Sequence, residues 1–198
     1  QAFFENWISG GESSLSGFFN LDYHFNYSDR KGLVWDSYIA LSLGGNKIQN
    51  SKLKKADDRF EINSQLGKQI NPYWNYSVNL NLRTQILPGF RYYTLDNIAG
   101  QEKQSQFFSP AIVQLGLGWY YKKNKDSWIN LSPLTGRIIL VNPTFTKNLM
   151  EGKKYFGVEK GQNHKLYLGS ALNGFKKFLL MQNISMENKF NIYLNYLN

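Results

Sequence analysis

The sequence predicts an all-β fold, on three observations. Apolar residues recur at every second position over long segments, which is the side-chain period of a strand. Asn, Tyr, Phe and Gly are abundant while only 19% of residues are charged, a mix unfavourable for long helices and too aromatic for disorder. The longest uninterrupted apolar runs, such as Ile138 to Val141 and Phe178 to Met181, fall far short of the roughly 20 residues a membrane-crossing helix needs. The 198 residues read as a single domain spanning 1–198. The absence of cysteine excludes a disulfide scaffold, a cysteine enzyme and any cysteine-bearing zinc site.

The first strand runs from Leu15 to Tyr27, with Leu15, Gly17, Phe19, Leu21, Tyr23, Phe25 and Tyr27 against Ser16, Phe18, Asn20, Asp22, His24 and Asn26. After the turn Ser28 to Gly32 comes a second, with Leu33, Trp35, Ile39, Leu41 and Leu43 on one face and Asp36, Ala40, Ser42 and Gly44 on the other. A third carries Phe60, Ile62 and Leu66, and the fourth alternates most cleanly, from Trp74 to Ile86 against Asn75, Ser77, Asn79, Asn81, Arg83 and Gln85. Two more follow, from Ala111 to Tyr121 and from Trp128 to Val141, the latter bent at Pro133. Between His164 and Met186 the dipeptide Asn173-Gly174 signals a two-residue hairpin. Such a turn moves the apolar set to the other parity, yet Leu166, Leu168 and Leu172 before it and Phe178, Leu180, Ile184 and Met186 after it are all even-numbered. The reading is one long strand kinked at Gly174, a turn at Glu187-Asn188, and a last strand through Phe190, Ile192, Leu194 and Tyr196.

Short connections (Ser28 to Gly32, Gln69 to Tyr73, Lys122 to Ser127, Glu187 to Asn188) alternate with long ones (Asn46 to Asp57, Pro88 to Ser109, Asn142 to Asn163). Short turns at one end and long loops at the other characterise transmembrane barrels of the bacterial outer membrane. A strand of about 13 residues tilted by about 40° covers on the order of 33 Å, enough for an apolar band and two interfaces. Aromatics crowd the short-turn ends (Tyr27, Trp35, Trp74, Tyr76, Trp119, Tyr120, Tyr121, Trp128), where an interfacial girdle belongs. A soluble sandwich or barrel also alternates, with its apolar face inward. Strand length, the alternation of connections and a second face rich in amides and charges favour the membrane. The expectation is an antiparallel up-and-down transmembrane β-barrel with about nine strands in this chain and about twelve in the whole.

The polar face supplies the candidate site: Asp22, His24, Asp36, Glu61, Asn79, Asn81, Arg83 and Gln85 are expected to form a hydrogen-bonded lumen network. Asp22 and His24, two apart, could serve as a carboxylate-histidine base pair, but no serine stands in a recognisable relation to His24, so a lumen hydrolase is the least favoured reading. Asp57-Asp58 lacks the glycine-bearing spacing of a calcium loop and is read as pairing with Lys55 or Arg59. Gly44-Gly45, Gly116 and Gly118 precede no helix and make no phosphate cradle. No metal or cofactor is expected. The net charge of +9 comes from lysines clustered at turns (Arg30-Lys31, Lys52 to Lys55, Lys122 to Lys125, Lys153-Lys154) rather than along one element. They read as solvated tips near anionic lipid or lipopolysaccharide, and no nucleic-acid partner is expected.

Several short motifs together carry a family resemblance: Asn6-Trp7 with Gly10-Gly11-Glu12 and Ser14-Leu15; Lys55 with Asp57-Asp58-Arg59; Asn63-Ser64 with Gly67; and Thr84-Gln85 with Pro88-Gly89-Phe90. Ser109-Pro110-Ala111, Gly116-Leu117-Gly118, Leu131 to Thr135, Phe156-Gly157-Val158, Asn183-Ile184 and Asn195-Tyr196 follow in order. In their order and spacing they resemble a family of Bacteroidetes outer-membrane β-barrels catalogued as domain of unknown function 3078. The resemblance implies an outer-membrane location and a chain lacking its first and last strands, and it supplies no activity. The opening at Gln1 without a methionine or apolar leader reads as a processed mature chain or a fragment of a longer one, and the close on Leu197-Asn198, in place of the family's usual aromatic ending, reads as a truncated or incomplete end. A barrel of that size has a narrow lumen that polar side chains can plug. The functional expectation is a non-enzymatic structural or accessory subunit bound to other outer-membrane proteins, with a small-solute pore as the alternative.

Overall fold

The computed structural model describes residues 13–49, 51–95 and 98–196; the motif residues Asn6, Trp7, Gly10, Gly11 and Glu12, and the closing pair Leu197-Asn198, lie outside them. Ten strands are described: β1 (Ser14–Ser28), β2 (Leu33–Ile48), β3 (Lys54–Gln69), β4 (Trp74–Thr84), β5 (Gly89–Leu95), β6 (Ile98–Ser105), β7 (Ala111–Asn124), β8 (Ser127–Leu140), β9 (His164–Met181) and β10 (Ile184–Asn195). Eight form one antiparallel sheet in the order β1-β2-β3-β4-β7-β8-β9-β10, and β5 and β6 form a separate hairpin. The all-β, up-and-down architecture is thus as the alternation predicts. Among the described residues no helix is long and apolar enough to cross a membrane.

The sheet is curled into an open half-barrel. Asp36 on β2 and Lys122 on β7 meet at 3.3 Å, although three strand spacings separate them, about 14 Å in a flat sheet. Only a concave face brings them together. That face is the polar one, and it is where burial is found: Ser42, Ser77, Asn130, Ser132 and Ala40 are buried. On the convex face Phe19, Tyr23, Leu80, Leu115, Leu131 and Ile192 remain exposed, Tyr23 at 57%. The apolar set is therefore outside and the polar set inside. β1 and β10 each have one neighbour in the sheet.

Asx side chains close the short turns. Asp29 Oδ1 accepts from the amides of Lys31 and Leu33 at 2.9 and 2.7 Å, and Asn71 Oδ1 from those of Tyr73 and Trp74 at 3.0 Å. Asn124 Oδ1 accepts from the Asp126 amide at 3.0 Å. Such side chains mimic a backbone turn and need no long loop. The register then sets Tyr27 opposite Trp35, Trp74 opposite Tyr121 and Tyr76 opposite Trp119, giving an aromatic band at that end. Tyr120 and Trp128 depart from the expected girdle. They lie on the concave face, ring centroids 6.0 Å apart, because neither shares the parity of its outward neighbours Trp119, Tyr121 and Ile129.

Three expectations about connections are corrected. The stretch Pro88 to Ser109 is not plain loop: it holds β5 and β6, which pair with each other outside the eight-stranded sheet. The connection expected over Asn46 to Asp57 shrinks to residues 49–53, since β2 and β3 extend past an irregularity at Gly44/Gly45 that breaks the parity. The turn expected at Glu187-Asn188 is at Gln182-Asn183, and Glu187 lies within β10, paired with Lys177. β9 does continue through Asn173-Gly174. The bend expected at Pro133 is a register shift between Ser132 and Thr135.

Candidate functional site

The concave face carries four groups of interlocked polar side chains. On β1 and β2, Tyr38 Oη donates to Asp22 Oδ1, and the His24 ring lies 4.7 Å from that of Tyr38. Asp22 and His24 thus share one neighbour, Tyr38, which occupies the carboxylate. On β3 and β4, Glu61 Oε1 accepts from Asn63 Nδ2 at 2.9 Å and Asn81 Nδ2 at 3.3 Å, and its Oε2 pairs with Arg83 at 3.5 Å. The third group crosses β7: Ser77 Oγ donates to Asn130 Oδ1 at 3.0 Å and Asn79 Nδ2 to Ser132 Oγ at 3.2 Å. Gly116 and Gly118 lie on β7 between the strands so bridged, and a Cβ at Gly116 would sit 2.9 Å from Ser132 Cβ. The fourth is the Asp36–Lys122 pair, beside a cavity of about 400 Å³ lined by Asn26, Gln69, Asn75 and Tyr120.

Gln85 is not part of this face. β4 ends at Thr84, and beyond it the chain turns so that Gln85 Oε1 accepts from Lys55 Nζ at 2.8 Å and Ser105 Oγ at 2.7 Å. Lys55 also pairs with Asp58 at 2.8 Å and donates to the Leu87 carbonyl at 3.2 Å. The Asp58 side chain, 1% exposed, accepts from the amides of Ile86 and Leu87, both at 2.9 Å. Asp57 accepts from Ser42. Both carboxylates are therefore engaged by protein donors, and among the described residues no group of three or more His, Asp or Glu is placed to hold a metal.

This lock ties β3, the end of β4 and the hairpin of β5 and β6 to one another at the long-loop end. The connection over residues 142–163 completes it: a 3₁₀ turn, Pro143–Phe145, is capped by Asn142, whose amide donates to Ser109 Oγ at 2.8 Å. Val158 and Thr146 are fully buried, and Thr146 Oγ1 donates to the Gln162 carbonyl at 2.6 Å. Tyr155 Oη donates to the Gln104 carbonyl. Burial pushes the Tyr155 hydroxyl above the ordinary tyrosine range, opposed by a hydrogen bond with Ser109. The pairing of Lys55 with Asp58 is one that the sequence leads us to expect; Ser77, Asn130 and Ser132 are the members that sequence reasoning did not assign. Their alternation was visible, but their pairing depends on register and curl.

Residues 1–90 match the model of a family described as protein of unknown function (DUF3078). No curated protein and no solved structure matches the chain. The motifs Lys55 with Asp57-Asp58-Arg59 and Thr84-Gln85 with Pro88-Gly89-Phe90 fall within the matched stretch and meet in the lock just described. Over residues 1–90, then, the chain is similar to the DUF3078 family, the one its motifs resemble.

Proposed function

We propose that this is a non-enzymatic β-barrel protein of the bacterial outer membrane, serving as a structural or accessory subunit of an outer-membrane protein complex. The observation that carries the reading is the inversion of the two faces. Ser77, Asn130 and Ser132 are buried on the concave side while Tyr23, Leu80, Leu115 and Leu131 are bare on the convex side. In water a contiguous apolar face of this extent is an aggregation liability; in lipid it is the ordinary exterior of a barrel. The accessory role is supported by the cross-strand hydrogen bonds that occupy the concave side, which fit a filled lumen better than a wide channel. A small-solute pore is the second reading, favoured by Arg83, whose side chain is 59% exposed beside Glu61.

The test is to tag the full-length parent, fractionate membranes, extract in mild detergent and identify what co-purifies by mass spectrometry. An outer-membrane location with a stoichiometric partner is expected. A protein that purifies alone and conducts ions in a planar bilayer would establish the pore instead, and one that is soluble without detergent would remove both readings.

A further inference from the structure

Two tight turns at the long-loop end place phenylalanine where backbone physics asks for glycine or asparagine. In Tyr155-Phe156-Gly157-Val158, the Tyr155 amide donates to the Val158 carbonyl at 2.9 Å and the Val158 amide to the Tyr155 carbonyl at 3.0 Å. Both central residues have positive φ, 49° at Phe156 and 85° at Gly157, as a type I′ turn requires, and Asn-Gly is the usual occupant. In Gln106-Phe107-Phe108-Ser109 the same reciprocal pair closes at 3.0 and 2.9 Å. There Phe108 has φ 57°, at the position where a type II turn favours glycine. A Cβ in the left-handed region is strained, and an aromatic ring left in water gains nothing to offset it. Yet Phe107 is 63% exposed, Phe108 38% and Phe156 52%.

The two turns form one feature. Tyr155 joins them, its ring 4.8 Å from that of Phe156 and its hydroxyl on Gln104, just ahead of Phe107 and Phe108. Val158 and Ser109, the closing residues of the two turns, are buried, so the turn backbones are fixed before anything binds, which lowers the ordering cost of association. The segment that carries Phe156, residues 142–163, is net positive, with Lys147, Lys153, Lys154 and Lys160 against Glu151 and Glu159, of which only Lys154 and Glu159 pair, at 3.2 Å.

From this geometry we infer that Phe107, Phe108 and Phe156 are the anchor of a docking site for a protein partner whose apolar surface is rimmed by acidic residues. Phenylalanine without a polar handle calls for an apolar pocket, and the lysines select a negative rim. The inference rests on the accessory-subunit reading and names where that subunit is gripped.

Phe156→Asn and Phe108→Gly separate docking from folding, because both relieve left-handed strain: the variants should melt at or above the temperature of the unaltered protein. With p-benzoyl-phenylalanine at position 107 of the full-length protein in native membranes, photo-crosslinking and peptide mapping should give one protein, joined through a segment bearing apolar residues flanked by Asp or Glu. The double variant should cut the yield of that adduct at least tenfold. Adducts with lipopolysaccharide or with a second copy of this chain, or a lowered melting temperature in both variants, would overturn the site. A stoichiometric partner that survives both substitutions would also overturn it while leaving the accessory role standing. Extraction of the protein alone would remove both.

Discussion

Single side chains at the long-loop end bear loads out of proportion to their size, and Asp58 bears the most. Its buried carboxylate receives two backbone amides and an ammonium, so Asp58→Ala leaves the Ile86 and Leu87 amides without their acceptor and Lys55 without its counter-charge, held only by Gln85 and the Leu87 carbonyl. Hydrogen bonds to a charged group contribute about 1.5–3 kcal/mol each way they are cut; a loss of about 3 kcal/mol is expected, read as faster amide exchange at Ile86 and Leu87. Tyr155 gives a pH signature in the alkaline range. Its folded-state pKa is raised by burial above the ordinary value near 10, so the folded protein keeps the proton that the unfolded chain gives up. That contribution is fully present below the unfolded value, and it is lost as pH rises through the folded one. Tyr155→Phe should flatten the alkaline fall in the thermal stability of the detergent-solubilised protein; an identical fall in both would show that the hydroxyl carries no linkage.

Strands show where alternation is a sufficient guide and where it is not. Gly174 in β9 faces the Phe190 ring of β10, and a Cβ there would come within 2.3 Å of it. Gly174→Ala is therefore expected to push the half-exposed Phe190 ring aside at a cost of about 0.5–1.5 kcal/mol, measured as a lowered urea midpoint. Gly136→Ala in β8, with open space around the new methyl, should be neutral or slightly stabilising. The eight sheet strands were legible because each has one polar and one apolar face, and a slip of one residue would invert both. The turn at Gln182-Asn183 was hidden by an irregularity. Met181 pairs with Ile184, but Leu179 pairs with Ser185 and Phe178 with Met186, so Leu180 is skipped and the even-numbered apolar set crosses the turn unchanged. The parity argument holds at Asn173-Gly174, where the ladder is regular, and misses the real turn, where it is not. β5 and β6 were illegible for another reason: the hairpin stands outside the eight-stranded sheet and is tied to it by polar contacts such as Ser105 with Gln85, so its sequence carries no period-two apolar set to read. In the candidate site, Glu61, Asn81 and Arg83 could be assigned to one face from the sequence, while Gln85 could not be excluded from it without knowing that β4 stops at Thr84.

The molecule as a whole is organised inside out, and the sign of one substitution decides which solvent that organisation serves. Leu80 lies on the convex face of β4, between Ser64 of β3 and Leu115 of β7, and is 39% exposed. If that face meets lipid, Leu80→Arg buries a charge in hydrocarbon and is expected to cost about 2–4 kcal/mol near the bilayer midplane. If it meets water, the same change removes an exposed apolar side chain from a large patch and should leave stability unchanged while improving solubility. Asn79, the neighbour of opposite parity, reports on the other face: Asn79→Ala breaks the bond to Ser132 and should cost about 1 kcal/mol in either solvent. The measurement is urea unfolding of the full-length protein from phosphatidylcholine vesicles, followed by tryptophan fluorescence. A lowered midpoint for Leu80→Arg, larger than that for Asn79→Ala, is the expected result. An unchanged or raised midpoint for Leu80→Arg would mean that the convex face is hydrated, and the half-barrel would then need a protein, not a bilayer, to cover it.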